Sequence, residues 1–396
     1  MNQTPFTPQE IASFRSDTKG TDSVTHLNNA GASLPPDVVN EAIVSFLQEE
    51  AQYGGYETEA KYKAQLDHTH TLIAQLINAG ADEIALVENA SAAWDIAFHG
   101  MNLQAGDEVV TSEMEYASNV LGLVSAQLRG VKIIVINNDA QGNFPLRELE
   151  EAITPQTKLI AVTHIPSTAG NVLPVVAIGA IAQKHRITYL LDAAQSIGQV
   201  PLDVKQIGCD ILVTTGRKFL RGPRGTAFLY VKKEIQDTLQ LFQMDGRTVT
   251  DMSQQNYIVR ADAKRFEWHE KNHAVQLGFQ KAIAYALNIG IDRIWQRNQY
   301  IATYTRNALR SIPGVTVHDQ GDDLCGIVTF SVANIDAAQV RATLAEHHIN
   351  VTIGFAKSTL YYMNRKQLDV VVRASVHYYN TEQEIDKLCE VIATLL

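Results

Sequence analysis

The chain has 396 residues, 45% hydrophobic and 19% charged, enough to bury a large core and to form two domains or one large domain with a satellite. With 33 basic against 43 acidic residues its net charge is −10, which argues against a general binder of nucleic acid or of anionic membranes. No run approaches the roughly 20 apolar residues that span a bilayer, and the opening "MNQTPFTPQEIASFRSD" lacks the basic end and apolar core of a signal peptide. A cytoplasmic protein with no membrane or nucleic-acid partner is the expectation. Cys209, Cys325 and Cys389 are far apart and odd in number, without a C-x-x-C pair. They read as free buried thiols, and no metal site is expected.

In chain order, residues 1–25 are expected to dock on the body rather than fold alone. From about residue 84 to 231, the runs "EIALVEN", "DEVVTSEM", "VKIIVINND", "KLIAVTHI", "TYLLDAA", "CDILVTTG" and "TAFLYV" alternate with stretches such as "SAAWDIAFHGMNL" and "PLRELEEAIT", whose apolar residues recur every three or four positions. Apolar strands spaced by amphipathic helices predict an α/β domain over 26–255, with a mainly parallel sheet of seven strands covered on both faces. Beyond residue 255, long helical stretches lead into "GIVTFSV", "INVTIG" and "DVVVRASVHYY". A small α+β domain over 256–396 is expected. The pair His68 and His70 in "DHTHTL" points apart on a helix and has no companion ligands.

Ligands of such sheets gather at the carboxyl ends of the strands, where loops meet helix N-termini. The polar residues there are Asn89 and Ser91, Glu115 to Asn119, His164 to Thr168, Asp192 to Gln195, and Thr214 to Lys218. Asp192 ends an apolar run, where a lone carboxylate needs a cationic partner. Lys218 follows the next run, so the two are expected at the ends of neighbouring strands. A carboxylate and a lysine so placed suit a cofactor with a basic ring nitrogen and an aldehyde, as pyridoxal phosphate has. Thr214, Thr215, Arg217 and a helix start at "NASAAW", capped by Asn89 or Ser91, would supply phosphate donors, and Tyr116 is placed to cover the ring. A nicotinamide dehydrogenase fits poorly, since no G-x-G-x-x-G follows the first strand.

From "HLNNAGASLPP" to "VRASVHYYNTEQEIDKL" the chain resembles the class V aminotransferase group of fold-type-I pyridoxal-phosphate enzymes. That group includes cysteine desulfurases, selenocysteine lyases, isopenicillin N epimerase-like proteins and the C–S lyases of ergothioneine biosynthesis. The resemblance implies that Lys218 is the Schiff-base lysine and proton shuttle, that Asp192 pairs with the pyridine nitrogen, and that Gln195 bonds the phenolic oxygen. It puts Ala90, Ser91, Thr215 and Arg217 at the phosphate, Tyr116 on the ring, and His164 and Ser167 beside the cofactor. Arg373 and Asn29 would meet the substrate, the arginine through its carboxylate. A homodimer with an amino-acid substrate is implied as well.

Two departures bear on the reaction. Desulfurases of the group carry a catalytic cysteine in a loop before "VRAS", whereas here that region reads "NVTIGFAKSTLYYMNRKQLD". Where desulfurases have a short Gly/Thr segment reaching the neighbouring subunit, this chain has "KRFEWHEKN", as in the epimerase-like and ergothioneine-lyase branch. β-Elimination of a cysteine conjugate or its sulfoxide is therefore expected, with transamination or epimerisation as the alternative. The loop 352–368, with Lys357, Tyr361 and Arg365, is expected to set substrate choice.

Overall fold

A computed structural model of the chain describes residues 5–396; the first four residues of the expected N-terminal segment lie outside the described residues. The seven apolar runs form the central sheet. Its strands are β1 (Ile84–Val87), β2 (Glu108–Ser112), β3 (Lys132–Ile136), β4 (Thr157–Thr163), β5 (Thr188–Asp192), β6 (Ile211–Val213) and β7 (Ala227–Val231), in the order β1-β7-β6-β5-β4-β2-β3. β2 to β6 pair in parallel, while β7 lies antiparallel to both β1 and β6. No helix intervenes over 214–226, so the chain turns back beside β6 instead of crossing over.

Alternation along the strands loads both faces. Val110, Ile160, Val162, Leu191 and Leu212 belong to one buried cluster, and Val109, Leu159, Ala161, Leu190 and Ile211 to another. Helices Ala90–Gly100 and Ala117–Leu128 cover the second face with Trp94, Phe98 and Leu123. Helix Val175–His185 covers the first face and lies so near residue 207 that a Cβ on Gly179 would meet the Ile207 carbonyl at 1.8 Å.

A second sheet of β8 (Val315–Val317), β9 (Ile327–Val332), β10 (Thr352–Phe355) and β11 (Val370–Ser375) has the antiparallel order β8-β9-β11-β10. Helices Ile291–Arg310, Ala337–Glu346 and Glu382–Ala393 bury Ile301, Leu309, Leu344 and Leu388 against it. The stretch 352–368, named from sequence as a loop although the run "INVTIG" enters it, is ordered as β10, a short 3₁₀ turn and helix Leu360–Arg365.

Over its described residues the N-terminal segment contacts the C-terminal region. A Thr7–Glu10 capping box starts helix Pro8–Ser16, Phe14 packs edge-on against Tyr378 at 5.2 Å, and Arg15 pairs with Glu384 at 3.0 Å. Thr25 and His26 then pair in parallel with Ile349 and Asn350, bringing Ala30 and Gly31 to the junction of the two sheets. No helix among the described residues is long and apolar enough to cross a membrane.

Candidate active site

The carboxyl ends of β1, β2, β4, β5 and β6 and the edge strand β10 surround a cleft of about 260 Å³. Asp192 ends β5 in register with Thr163 of β4 and Val213 of β6. Lys218 lies beyond β6 in the turn that leads to β7. That turn is tied at several points: Gly216 N–H donates to the Thr226 carbonyl at 2.8 Å, Gly222 N–H to Gly216, and Arg221 N–H to Lys218. A Cβ on Gly216 would meet Thr226 Oγ1 at 2.4 Å, so only glycine fits. Arg221, at φ 61°, donates to the Leu34 carbonyl at 2.8 Å, to Thr18 Oγ1 at 2.6 Å and to the Tyr378 hydroxyl. The lysine backbone is thus fixed to both the N-terminal segment and the C-terminal region.

Lys218 Nζ lies 5.8 Å from the centre of the Tyr116 ring, and no carboxylate lies within ion-pair distance of it among the described residues. Burial brings this amine down to about 7, against the pull of Asp192 and with help from Arg217 and Arg373. A buried amine near neutrality is a competent nucleophile and base. Asp192 is 4% exposed, accepting from Ala194 N–H on Oδ1 and from Asn119 Nδ2 on Oδ2, both at 2.9 Å.

Asn89 Oδ1 caps helix Ala90–Gly100 through Ala92 N–H at 2.9 Å, so Ala90 and Ser91 bring first-turn N–H groups, which lack intrahelical acceptors, to the cleft wall. Thr215 and Arg217 also line it, the guanidinium donating to the Gly31 carbonyl. Gln195 Nε2 donates to the Ala30 carbonyl at 3.2 Å, while its buried Oε1 has no partner. Arg373 donates to the Ser167 carbonyl at 2.8 Å and to Asn28 Oδ1 at 3.3 Å, leaving Nε without a partner. Burial, with Arg217 nearby, lowers the Arg373 guanidinium to about 10. Tyr116 and Ser167 complete the expected residues at the wall.

Two expected residues stand elsewhere. His164 is not among the lining residues; its backbone bonds Asp192 and Leu173, and burial lowers its ring to about 4, making it a neutral core histidine. Asn29 is fully buried, its amide donating to the Ser375 carbonyl at 2.8 Å and accepting from the Tyr379 hydroxyl at 2.6 Å. Ala30 and Gly31 face the cleft in its place.

Glu115, given no role from sequence, lies directly behind Asp192. It is fully buried and receives Ser112 Oγ at 3.0 Å, Thr163 N–H at 2.7 Å, Thr163 Oγ1 at 2.8 Å and Asn119 Nδ2 at 3.0 Å. Its position three residues past a buried strand was the available sign. None of the three cysteines lines the cleft: Cys209 and Cys325 are buried, and Cys389 is half-buried in the last helix. Burial pushes the Cys325 and Cys389 thiols up to about 12 and 11.

The aminotransferase class V family profile matches residues 25–388. The chain belongs to the class V aminotransferase family. A probable cysteine desulfurase of Methanothermobacter thermautotrophicus is 31% identical over 93% of both chains, and one of Pyrococcus abyssi is 30% identical over 98% of both. The apo cysteine desulfurase of Thermococcus onnurineus superposes with a TM-score of 0.91 at 28% identity, covering 100% of this chain and 99% of that one. As a member of this family the chain is a pyridoxal-phosphate-dependent enzyme. Its cleft fits that group chemically: a lysine without a paired carboxylate, an acid at a strand end, a capped helix start and an orphaned amide oxygen on Gln195.

Proposed function

We propose that this enzyme cleaves the C–S bond of a cysteine conjugate or its sulfoxide by β-elimination, releasing pyruvate and ammonia after hydrolysis of the aminoacrylate, together with a thiol from the conjugate or a sulfenic acid from the sulfoxide. Bound pyridoxal phosphate supplies the electron sink for this chemistry. In this reading Lys218 is the covalent anchor, and its Nζ takes the proton from the substrate Cα as the C–S bond breaks and sulfur leaves with the bonding pair. Asp192 holds the pyridine nitrogen, Gln195 the phenolic oxygen, Tyr116 the ring face, and Arg373 the substrate carboxylate. Ala90, Ser91, Thr215 and Arg217 hold the phosphate, with Ser167 steadying Arg373. A cytoplasmic homodimer belongs to the same reading. The exposed Leu121, Val124 and Leu128 on one helix and Met252, Tyr257 and Ile258 on the hairpin 249–259 support the dimer.

One observation carries the choice of reaction. The segment that closes the cleft offers Thr352, Ile353, Gly354 and Ser358 and no thiol, so no cleft residue can accept sulfane sulfur as a persulfide. The relatives' names speak of desulfuration, which in this family uses a cysteine in that segment. Alkylation with iodoacetamide therefore leaves turnover of a cysteine conjugate unchanged, as does Cys389→Ser. Loss of turnover on alkylation would contradict the reading.

A further inference from the structure

The fold buries a second carboxyl group behind Asp192 and gives it no cation. Among the described residues no ion pair reaches Glu115, yet four donors converge on its two oxygens. Burying such a group is costly even when its hydrogen bonds are made, and an apolar side chain would fill the same space.

The arrangement explains what Glu115 does for its neighbours. A single nitrogen, Asn119 Nδ2, lies 3.0 Å from Glu115 Oε2 and 2.9 Å from Asp192 Oδ2. An amide nitrogen carries two hydrogens, so it can serve both carboxyl groups at once. Flipping the amide would turn its oxygen toward two acceptors, so the pair of carboxyl groups fixes its orientation. Thr163 is held in the same way, its N–H and hydroxyl both on Glu115, and Thr163 is also the β4 partner of Asp192 in the sheet register.

We propose that Glu115 is a positioning residue for the ring-nitrogen site, acting through Asn119 and Thr163 to hold the Asp192 carboxylate in place. The inference rests on the reading that Asp192 takes the pyridine nitrogen. Burial, with Asp192 adding to it and the Asn119 and Thr163 donors opposing it, pushes the Glu115 carboxyl up to about 7. The titratable groups within electrostatic reach are Asp192 and Tyr189 on β5 and Tyr361 on helix Leu360–Arg365. Supporting residues of this kind are worth about 10- to 100-fold at metal sites, and a comparable effect is expected here.

The test compares holoenzyme of wild type, Glu115→Gln, Asn119→Ser, the double variant and Asp192→Asn. Two properties are read: the rate at which the cofactor's visible band is lost on dialysis, and the pH midpoint of that band. Glu115→Gln and Asn119→Ser should each speed cofactor loss about tenfold and move the midpoint in the same direction as Asp192→Asn. The double variant should do no more than the larger single change, because both act through one amide. A variant that merely unsettled the fold would lower the melting temperature and leave the midpoint where it was. If Glu115→Gln matches wild type in both properties while Asp192→Asn changes both, the Asp192 reading stands and the role of Glu115 falls. If Asp192→Asn changes neither, both fall. Should Glu115→Gln be insoluble, Glu115→Asp decides in its place: it keeps a carboxyl but draws it back from Asn119 and Thr163, and wild-type cofactor loss and midpoint in that variant would overturn the role.

Discussion

In the proposed reaction Lys218 carries the chemistry, and its burial makes that role costly for the fold on its own. Its amine is lowered to about 7 chiefly by burial, whereas the unfolded chain keeps a lysine near 10.4. The unfolded state therefore binds a proton that the folded state lacks between those values, and apo-protein stability rises with pH across that window. Lys218→Met should raise the melting temperature of the apo-protein at pH 7, with the gain shrinking toward pH 10, while abolishing the visible band of the holoenzyme. Equal melting temperatures at pH 7 would contradict this. Glu115 has the opposite sign: at about 7 against about 4.3 unfolded, its contribution is present at low pH and lost as pH rises through 7. Apo wild type should lose up to about 3 kcal/mol relative to Glu115→Gln between pH 4.5 and 7.5. For Arg373, the fork matters more than the charge, and Arg373→Lys should raise KM for the amino acid about tenfold or more with a smaller change in kcat. The cleft positions of Lys218 and Asp192 were legible because each follows an apolar run, and that of Arg373 came from the resemblance around "VRAS". His164 and Asn29 were misplaced on the same signal, since a polar residue after a strand looks identical whether it faces a cleft or meets backbone groups. Glu115 was hidden because its partners, Asn119 and Thr163, come from separate elements.

At the level of elements, the helix start at Asn89 and the segment "KRFEWHEKN" each do measurable work. Asn89→Ala removes the cap bond to Ala92 and should cost about 1 kcal/mol, with weaker cofactor binding at the phosphate end. Glu267 accounts for His70 of the histidine pair and for Lys271 in the phrase around it. It is buried at 1% exposure, meets His70 Nε2 at 2.7 Å, Leu86 N–H at 2.8 Å and Arg247 at 2.9 Å, and pairs with Lys271. Burial opposes its charge, but His70, Lys271 and Arg247 outweigh it and hold the carboxyl well below its usual range. Its stabilisation is therefore full above pH 4.5 and lost as acid approaches the folded value. Glu267→Gln should cost about 3–5 kcal/mol at pH 7 by urea unfolding, and much less near pH 2. The seven strands could be read from apolar runs, whereas the reversed direction of β7 could not, because local pattern carries no strand direction. The run "INVTIG" already reached into β10, whereas the helix Leu360–Arg365 in the stretch read as a loop carried no such run.

In the whole molecule, the N-terminal segment, the lysine turn and the C-terminal region form one unit through Arg221 and the Arg15–Glu384 pair. The proposed dimer should appear by light scattering as twice the mass of one chain. The apolar face at Leu121, Val124 and Leu128 should then be shielded, and Leu121→Asp should shift the protein toward monomer. The central claim is that this class V enzyme eliminates sulfur instead of storing it, and product analysis tests it most directly. Incubated with an S-substituted cysteine and its sulfoxide, and separately with cysteine, the holoenzyme should release pyruvate and ammonia in equal amounts with the sulfur product. Alanine as the main product, together with a protein-bound persulfide, would contradict it.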